Sequence, residues 1–227
     1  MDSQVTTPTS TSLEDVFIFE DFFDRQFIAD LFSACQSLPA GDPFIDNHGV
    51  FKKQLVSEQT FLSDNDLKQE LFSKTLDLVQ SVFPQNTYLI EAIYSKLHLP
   101  WDIHNDYVKS DREMVHQPFY NILIPLHDVD SRTIIFNQVA NRKDFYLYKE
   151  KNQPVDNPIN EEYWNQYLDY CWPEDRQYLT LQKEMPAQRA GQLIGFRRNI
   201  FHASDNFHTR NAGPKHLLQM LLDTDDQ

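Results

Sequence analysis

The sequence predicts a mainly β domain with helices (α+β): a rolled antiparallel sheet of double-stranded β-helix, or jelly-roll, geometry, with N-terminal supporting helices. Three observations predict it. Long helix-periodic stretches lie before Pro84, whereas beyond it the chain turns to short segments rich in β-branched and aromatic residues, broken by polar or Pro-containing stretches. Helices followed by a run of strands imply an antiparallel sheet with the helices on one outer face. Finally, two short strands carrying chemistry-bearing residues, one ending near His104-Asn105-Asp106 and one at His202, reach a common point only if the sheet closes on itself.

Each element follows from local pattern. Residues 1–13 hold Thr6, Thr7, Pro8, Thr9, Ser10, Thr11 and Ser12 with almost nothing apolar, so a disordered tail is expected there and a single domain over 14–227. Asp15 to Glu20 reads as a short strand. From Arg25, the residues Phe27, Ile28, Leu31, Phe32, Cys35 and Leu38 fall on one helical stripe that stops at Pro39-Ala40-Gly41. Ser63 and Asp66 form a capping pair, and Leu71, Phe72, Thr75, Leu76, Leu78, Val79, Val82 and Phe83 carry a second helix to Pro84.

Strands are then expected at Tyr88–Leu97, Phe119–His127, Thr133–Asn137, Phe145–Tyr148, Tyr178–Gln182, Gln192–Phe196, Asn199–His202 and Lys215–Leu222. An insertion at about 141–186 interrupts them. Within it Tyr163, Trp164, Tyr167, Leu168 and Cys171 have helical spacing behind Asn160 as a cap, an aromatic helix that serves either as a lid or as packing on the barrel rim.

Composition narrows function. With 227 residues, 41% hydrophobic content, 17 Phe, 10 Tyr and 3 Trp, one substantial core is affordable and general disorder is excluded. The net charge of −14 opposes binding to nucleic acid or anionic lipid, and no basic run offsets it. Cys35 and Cys171 sit in apolar helical patterns, as buried free thiols do. No signal-like leader or membrane-length apolar run is present, so a reducing cytoplasmic setting is expected. Neither a Gly-x-Ser-x-Gly elbow, a phosphate loop nor a Cys-x-x-Cys pair occurs. Nothing in the pattern sets an oligomeric state.

The chemistry concentrates at Leu97-His98-Leu99-Pro100-Trp101-Asp102-Ile103-His104-Asn105-Asp106. In an extended segment His104 and Asp106 project to the same side, so both can reach one ion. A His with an acid two places on is expected about once by chance in a chain of this composition, but His104 is the one His of eight that has it. A third ligand must come from far along the chain. His116 and His127 follow too closely for the chain to return, while His208 and His216 are rivals. His202 is preferred because Gly191-Gln192-Leu193-Ile194-Gly195-Phe196 leads through a tight turn into the strand that ends at it. Two nitrogens and one carboxylate form the facial set that suits non-haem Fe(II) and leaves coordination positions open.

On these residues the chain resembles the non-haem Fe(II), 2-oxoglutarate-dependent oxygenases, whose double-stranded β-helix carries a His-x-Asp pair, a distal His and a downstream basic residue on a late strand. The matching residues are His104, Asp106, His202 and Lys215, and Gly213 to Leu222 is similar to the closing strand of that family. The likeness covers roughly 88–223. It implies Fe(II) held by His104, Asp106 and His202, with 2-oxoglutarate and O₂ at the remaining positions. The implied reaction releases succinate and CO₂ while hydroxylating a C–H bond of a small molecule, amino acid derivative or peptide.

The resemblance also assigns Lys215 to the distal carboxylate of 2-oxoglutarate. Arg210 is the alternative, because many relatives carry an Arg closer to the distal His. Tyr94 and Asn121, on strands flanking the His-x-Asp segment, are expected either to touch the co-substrate or to be ordinary barrel residues. Trp101 lines the substrate pocket or anchors its loop. The carboxylate of Asp106 argues against halogenation. Two other readings compete: a cupin-type metalloenzyme completed by a further His such as His98 or His208, and a non-enzymatic jelly-roll binding protein.

Overall fold

The computed structural model describes residues 15–47, 50–83, 87–106, 120–139, 154–183, 185–210 and 212–224. The N-terminal tail, the strand expected at Phe145–Tyr148 and the first part of the insertion fall outside these.

Helix α1 (Arg25–Ser37) begins where the Asp24 carboxylate accepts from the backbone N–H groups of Gln26 and Phe27 at 2.8 and 3.2 Å, satisfying donors that a helix start leaves bare. It ends at Leu38, since the residue before a proline is biased to extended backbone. The expected capping box is present, with Ser63 and Asp66 capping each other's backbone groups. It opens only a single turn, α2 (Asp64–Leu67), and α3 (Glu70–Gln80) starts afresh after Gln69. The one helix expected here is therefore two, because α2 buries nothing and the apolar stripe of Phe72, Thr75 and Val79 begins later.

Among the described residues ten strands form two antiparallel sheets. They are β1 (Val16–Phe19), β2 (Asp42–Ile45), β3 (Leu55–Phe61), β4 (Thr87–Leu97), β5 (Tyr120–Pro125), β6 (Thr133–Val139), β7 (Leu181–Lys183), β8 (Leu193–Arg197), β9 (Ile200–Ser204) and β10 (Lys215–Thr224). The large sheet runs β1-β8-β5-β10-β4-β3-β2 and the small one β7-β6-β9. Alternation along β10 assigns its two faces. Leu218, Met220 and Leu222 join Ile28, Leu31, Cys35, Phe72 and Val79 in a core beneath the helices, while Lys215, Leu217, Gln219 and Leu221 line a cavity on the other face. Leu123, Ile194 and Phe196 of the large sheet meet Ile135 and Ile200 of the small one in a second core, so the two sheets face each other.

Strands β2 and β3 have no counterpart in the sequence reading. The reason lies in the two faces of β3, where Gln59 and Phe61 line the main cavity and Glu58 and Thr60 line a pocket on the opposite face. Neither face carries the continuous apolar set on which a period-two reading depends. The segment read as a strand at Tyr178–Gln182 begins instead as the end of a 3₁₀ helix, Pro173–Tyr178, with Pro173 in its first turn, and β7 follows.

In the insertion, α4 (Glu161–Tyr167) is capped by Asn160, whose side-chain oxygen accepts from the Tyr163 N–H at 2.7 Å. Trp164, Leu168, Cys171 and Leu179 pack on Ile134, Phe136, Phe201 and Ala203, the outer face of the small sheet. Of the two roles expected for this aromatic helix, the geometry is that of packing. Cys35 and Cys171 are buried free thiols. Among the described residues no helix is long and apolar enough to cross a membrane.

Candidate metal centre

Backbone pairing brings the first and the distal His together. The segment carrying His104 adds to the free edge of β9: the His104 N–H donates to the His202 carbonyl at 3.0 Å, and the His202 N–H to the His104 carbonyl at 2.8 Å. Two residues on, the Asp106 N–H donates to the Arg198 carbonyl at 2.9 Å. Gly191 starts the approach to β8 and β9. Its φ of +94° and the 2.7 Å that would separate an added Cβ from the Phe23 carbonyl oxygen exclude other side chains without strain.

The side chains then converge. His104 Nε2 lies 3.8 Å from Asp106 Oδ1, and His202 Nε2 lies 3.3 Å from Asp106 Oδ2. One ligand atom from each of the three residues falls within 4.8 Å of the others, and no fourth His, Cys, Asp or Glu joins this group among the described residues. Each imidazole has its Nδ1 against a backbone carbonyl, that of Asp102 for His104 at 2.6 Å and that of Ile200 for His202 at 3.0 Å. An N–H donated there leaves the Nε2 lone pair facing Asp106, the orientation a metal-binding His needs. The Asn121 amide donates to Asp106 Oδ2 and accepts in turn from the Gln219 amide at 3.1 Å.

Protonation states agree with that use. Burial, reinforced by the neighbouring His202, lowers the His104 pKa to about 4 and keeps its ring neutral. Burial pushes the Asp106 carboxyl the other way, but His202, then His104 and Arg198, outweigh it and bring the pKa down to about 2. Two imidazole nitrogens and one carboxylate oxygen are a donor set that fits a ferrous ion.

These groups line a cavity of about 550 Å³, together with Trp101, Asn121, Arg198 and Lys215. Lys215 is 1% exposed, and its burial lowers the ammonium pKa to about 8. Arg210 is placed elsewhere: its guanidinium donates to Asp205 Oδ2 and Asn206 Oδ1, both at 2.6 Å, and to the Asp130 carbonyl at 2.9 Å. Tyr94 is not at the centre either. Alternation sends it to the opposite face of β4, where its hydroxyl meets His216 Nδ1 at 2.7 Å beside Cys35, Glu58 and Lys96 in a second pocket of about 350 Å³. His98 pairs with Glu58 at 2.5 Å, and His208 packs against Phe51 and Tyr170. Trp101 does both things expected of it, lining the cavity and stacking on Phe44 with ring centroids 4.3 Å apart.

Three contributors escaped the sequence reading. Arg198, 3% exposed, donates from Nε to the Asp106 carbonyl at 3.0 Å, but it lies in a turn without periodic signal. Gln219 was accessible by counting in twos from Lys215. Tyr170, in the insertion, places its hydroxyl 2.7 Å from the Trp101 carbonyl and 2.6 Å from the Ser204 carbonyl, bracing the His104 segment against β9.

No family model matches the sequence, and no curated protein is similar to it in sequence. Solved structures are similar in fold. The non-haem α-ketoglutarate-dependent carbocyclase SnoK from nogalamycin biosynthesis superposes with a TM-score of 0.62 at 10% identity, covering 93% of this chain and 80% of that one. HygX from Streptomyces hygroscopicus, solved with nickel and 2-oxoglutarate, gives 0.56 at 14% identity over 93% and 84%. A Pseudomonas putida prolyl-4-hydroxylase gives 0.54 at 9% identity over 92% of each chain. The chain therefore has the double-stranded β-helix fold found in Fe/2-oxoglutarate-dependent enzymes. Those enzymes include a carbocyclase and an epimerase as well as a hydroxylase, so the fold alone does not set the outcome of the reaction.

Proposed function

We propose that this protein is an Fe(II)- and 2-oxoglutarate-dependent oxygenase that hydroxylates a small molecule, amino acid derivative or peptide. The observation that carries this reading is the convergence of His104, Asp106 and His202 in the same cavity as a buried, unusually acidic Lys215. The overall change is R–H + O₂ + 2-oxoglutarate → R–OH + succinate + CO₂. Fe(II), when bound, supplies the activation of O₂ that no amino-acid side chain can provide.

The rest belongs to the chain. His104 and His202 offer ring nitrogens oriented by their Nδ1 hydrogen bonds, and Asp106 offers an anionic oxygen oriented by Asn121. Lys215 receives the distal carboxylate of 2-oxoglutarate as a point charge, strengthened by the low-polarity surroundings that depress its pKa. Ile93, Leu123 and Leu217 line the same cavity and keep water from the reacting groups. Asn121 acts through Asp106 in this scheme. The two buried free thiols suit a reducing, cytoplasmic compartment.

The test is succinate formation from 2-oxoglutarate with added Fe(II). Turnover is expected in the native protein and absent from His104→Ala and Asp106→Ala. Full turnover in both variants would remove the assignment, and metal binding without any 2-oxoglutarate binding would favour a cupin-type enzyme.

A further inference from the structure

The cavity has a second end that the reaction above leaves unused. Register across the large sheet places it. Glu91 of β4 pairs with Leu221 of β10, which pairs with Asn121 of β5, so Glu91 shares a row with the amide that holds Asp106, two strands or about 10 Å away. Lys215 lies on β10 six positions before Leu221, about 20 Å along the strand. The backbone positions that carry Lys215 and Glu91 thus lie at opposite ends of the cavity wall, with Asp106 held over the Asn121 row.

Glu91 has no hydrogen bond or ion pair among the described residues, although its side chain lines the cavity. Partial burial raises its pKa, and Arg198 offsets this only through longer-range attraction. Among the described residues no cation or donor offsets the desolvation of this carboxylate, so the arrangement is incomplete as they leave it. Beside it, Phe61 pairs in register with Ile93 and leaves 50% of its surface exposed at the same cavity wall. An aromatic face next to a carboxylate is a setting that attracts an organic cation through both charge and ring quadrupole. The net charge of −14 adds a long-range field that draws cations in.

We infer that the substrate of this site carries a compact organic cation, a protonated amine, that pairs with Glu91 while its apolar neighbour lies on Phe61. This rests on the oxygenase reading for the word substrate, and it names the class that reading leaves open.

The test uses matched fragments on the full chain, with and without Ni(II) and 2-oxoglutarate: benzylamine and hexylamine against benzyl alcohol, hexanol and hexanoate, followed by ligand-observed NMR titration. The amines are expected to bind about tenfold or more tightly than the alcohols, with hexanoate weakest. In Glu91→Gln, nearly isosteric, the amine preference should shrink to about twofold while 2-oxoglutarate affinity stays unchanged. Glu91→Lys should reverse the order in favour of hexanoate. Equal binding of amines and alcohols in the native protein, or an amine preference that survives Glu91→Gln, overturns the inference. Amine preference that depends on Glu91 in a protein unable to bind 2-oxoglutarate sinks the oxygenase reading and leaves the cation subsite standing.

Discussion

His104 and His202 are cross-strand partners that exchange both of their backbone hydrogen bonds, and their ring centroids stand 4.3 Å apart on one face of the small sheet. The pairing is made by main chain, so neither imidazole is needed to hold the two segments together. His202→Ala is accordingly expected to unfold cooperatively with stability within about 2 kcal/mol of the native protein. Its Ni(II) affinity, read by calorimetry, should fall beyond detection. Unaltered Ni(II) binding would show that the ion sits elsewhere.

Asn121 acts on the metal only through Asp106 and is itself held by Gln219. Asn121→Ala should lower metal affinity by about 10- to 100-fold. Gln219→Ala, one bond further out, should cost less. The order of the two losses in parallel titrations is the informative result, and the reverse order would mean that Asn121 does not orient the carboxylate.

Lys215 and Arg210 separate cleanly. Lys215→Met should raise the 2-oxoglutarate concentration needed for half-maximal succinate formation by about two orders of magnitude, equivalent to about 3 kcal/mol, with metal affinity nearly intact. Arg210→Ala should leave that requirement within about threefold. It should instead lower stability by about 1–3 kcal/mol, because it strips a charge-assisted hydrogen bond from the fully buried Asp205. The opposite pattern would transfer the carboxylate to Arg210.

The depressed Lys215 pKa also sets a pH dependence. Its ammonium is fully charged below about 8 and is lost above it, so affinity for 2-oxoglutarate should be constant near neutrality and weaken as pH rises past 8. For the unliganded fold the sign is reversed. Between about 8 and the ordinary lysine value of 10.5 the unfolded chain binds the extra proton, so this group's contribution to stability rises with pH. Calorimetric titration of 2-oxoglutarate from pH 7 to 9.5 checks the first statement, with the Lys215→Met protein as the flat control.

Tyr170 tests the brace. Removing its hydroxyl in Tyr170→Phe takes away the donor shared by the Trp101 and Ser204 carbonyls, of which Trp101 keeps the Ser204 N–H, at a cost of about 1 kcal/mol in denaturant unfolding. Because one of those carbonyls belongs to Trp101, metal affinity should fall as well, while 2-oxoglutarate binding at Lys215 changes little.

The convergence of His104 and Asp106 was legible because alternation in an extended segment sends both to one side, and that of His202 because a tight turn leads into the strand that ends at it. The place of Lys215 on the cavity wall was legible only through the family resemblance of the strand that it opens. Of the two roles expected for Tyr94, that of an ordinary barrel residue matches its place: it neighbours the cavity-lining Ile93 and Ser95 but lies on the opposite face of β4. Strand β3 was hidden because a cavity flanks each of its faces and neither face carries a continuous apolar set. Arg198 and Tyr170 belong to turns, where contacts depend on how distant segments meet, and no periodicity in the chain encodes that meeting.

The main-chain pairing of residues 104 and 202 has one more consequence. Ligands fastened into a sheet are poised in the same places whichever divalent ion arrives, and a site of this kind favours the later first-row metals by intrinsic affinity. Discrimination against copper or zinc therefore falls to the cell that fills the protein: occupancy will mirror the local metal supply, and preparations made in rich medium should carry a mixture that chelation and anaerobic ferrous reloading convert to a uniform, active form.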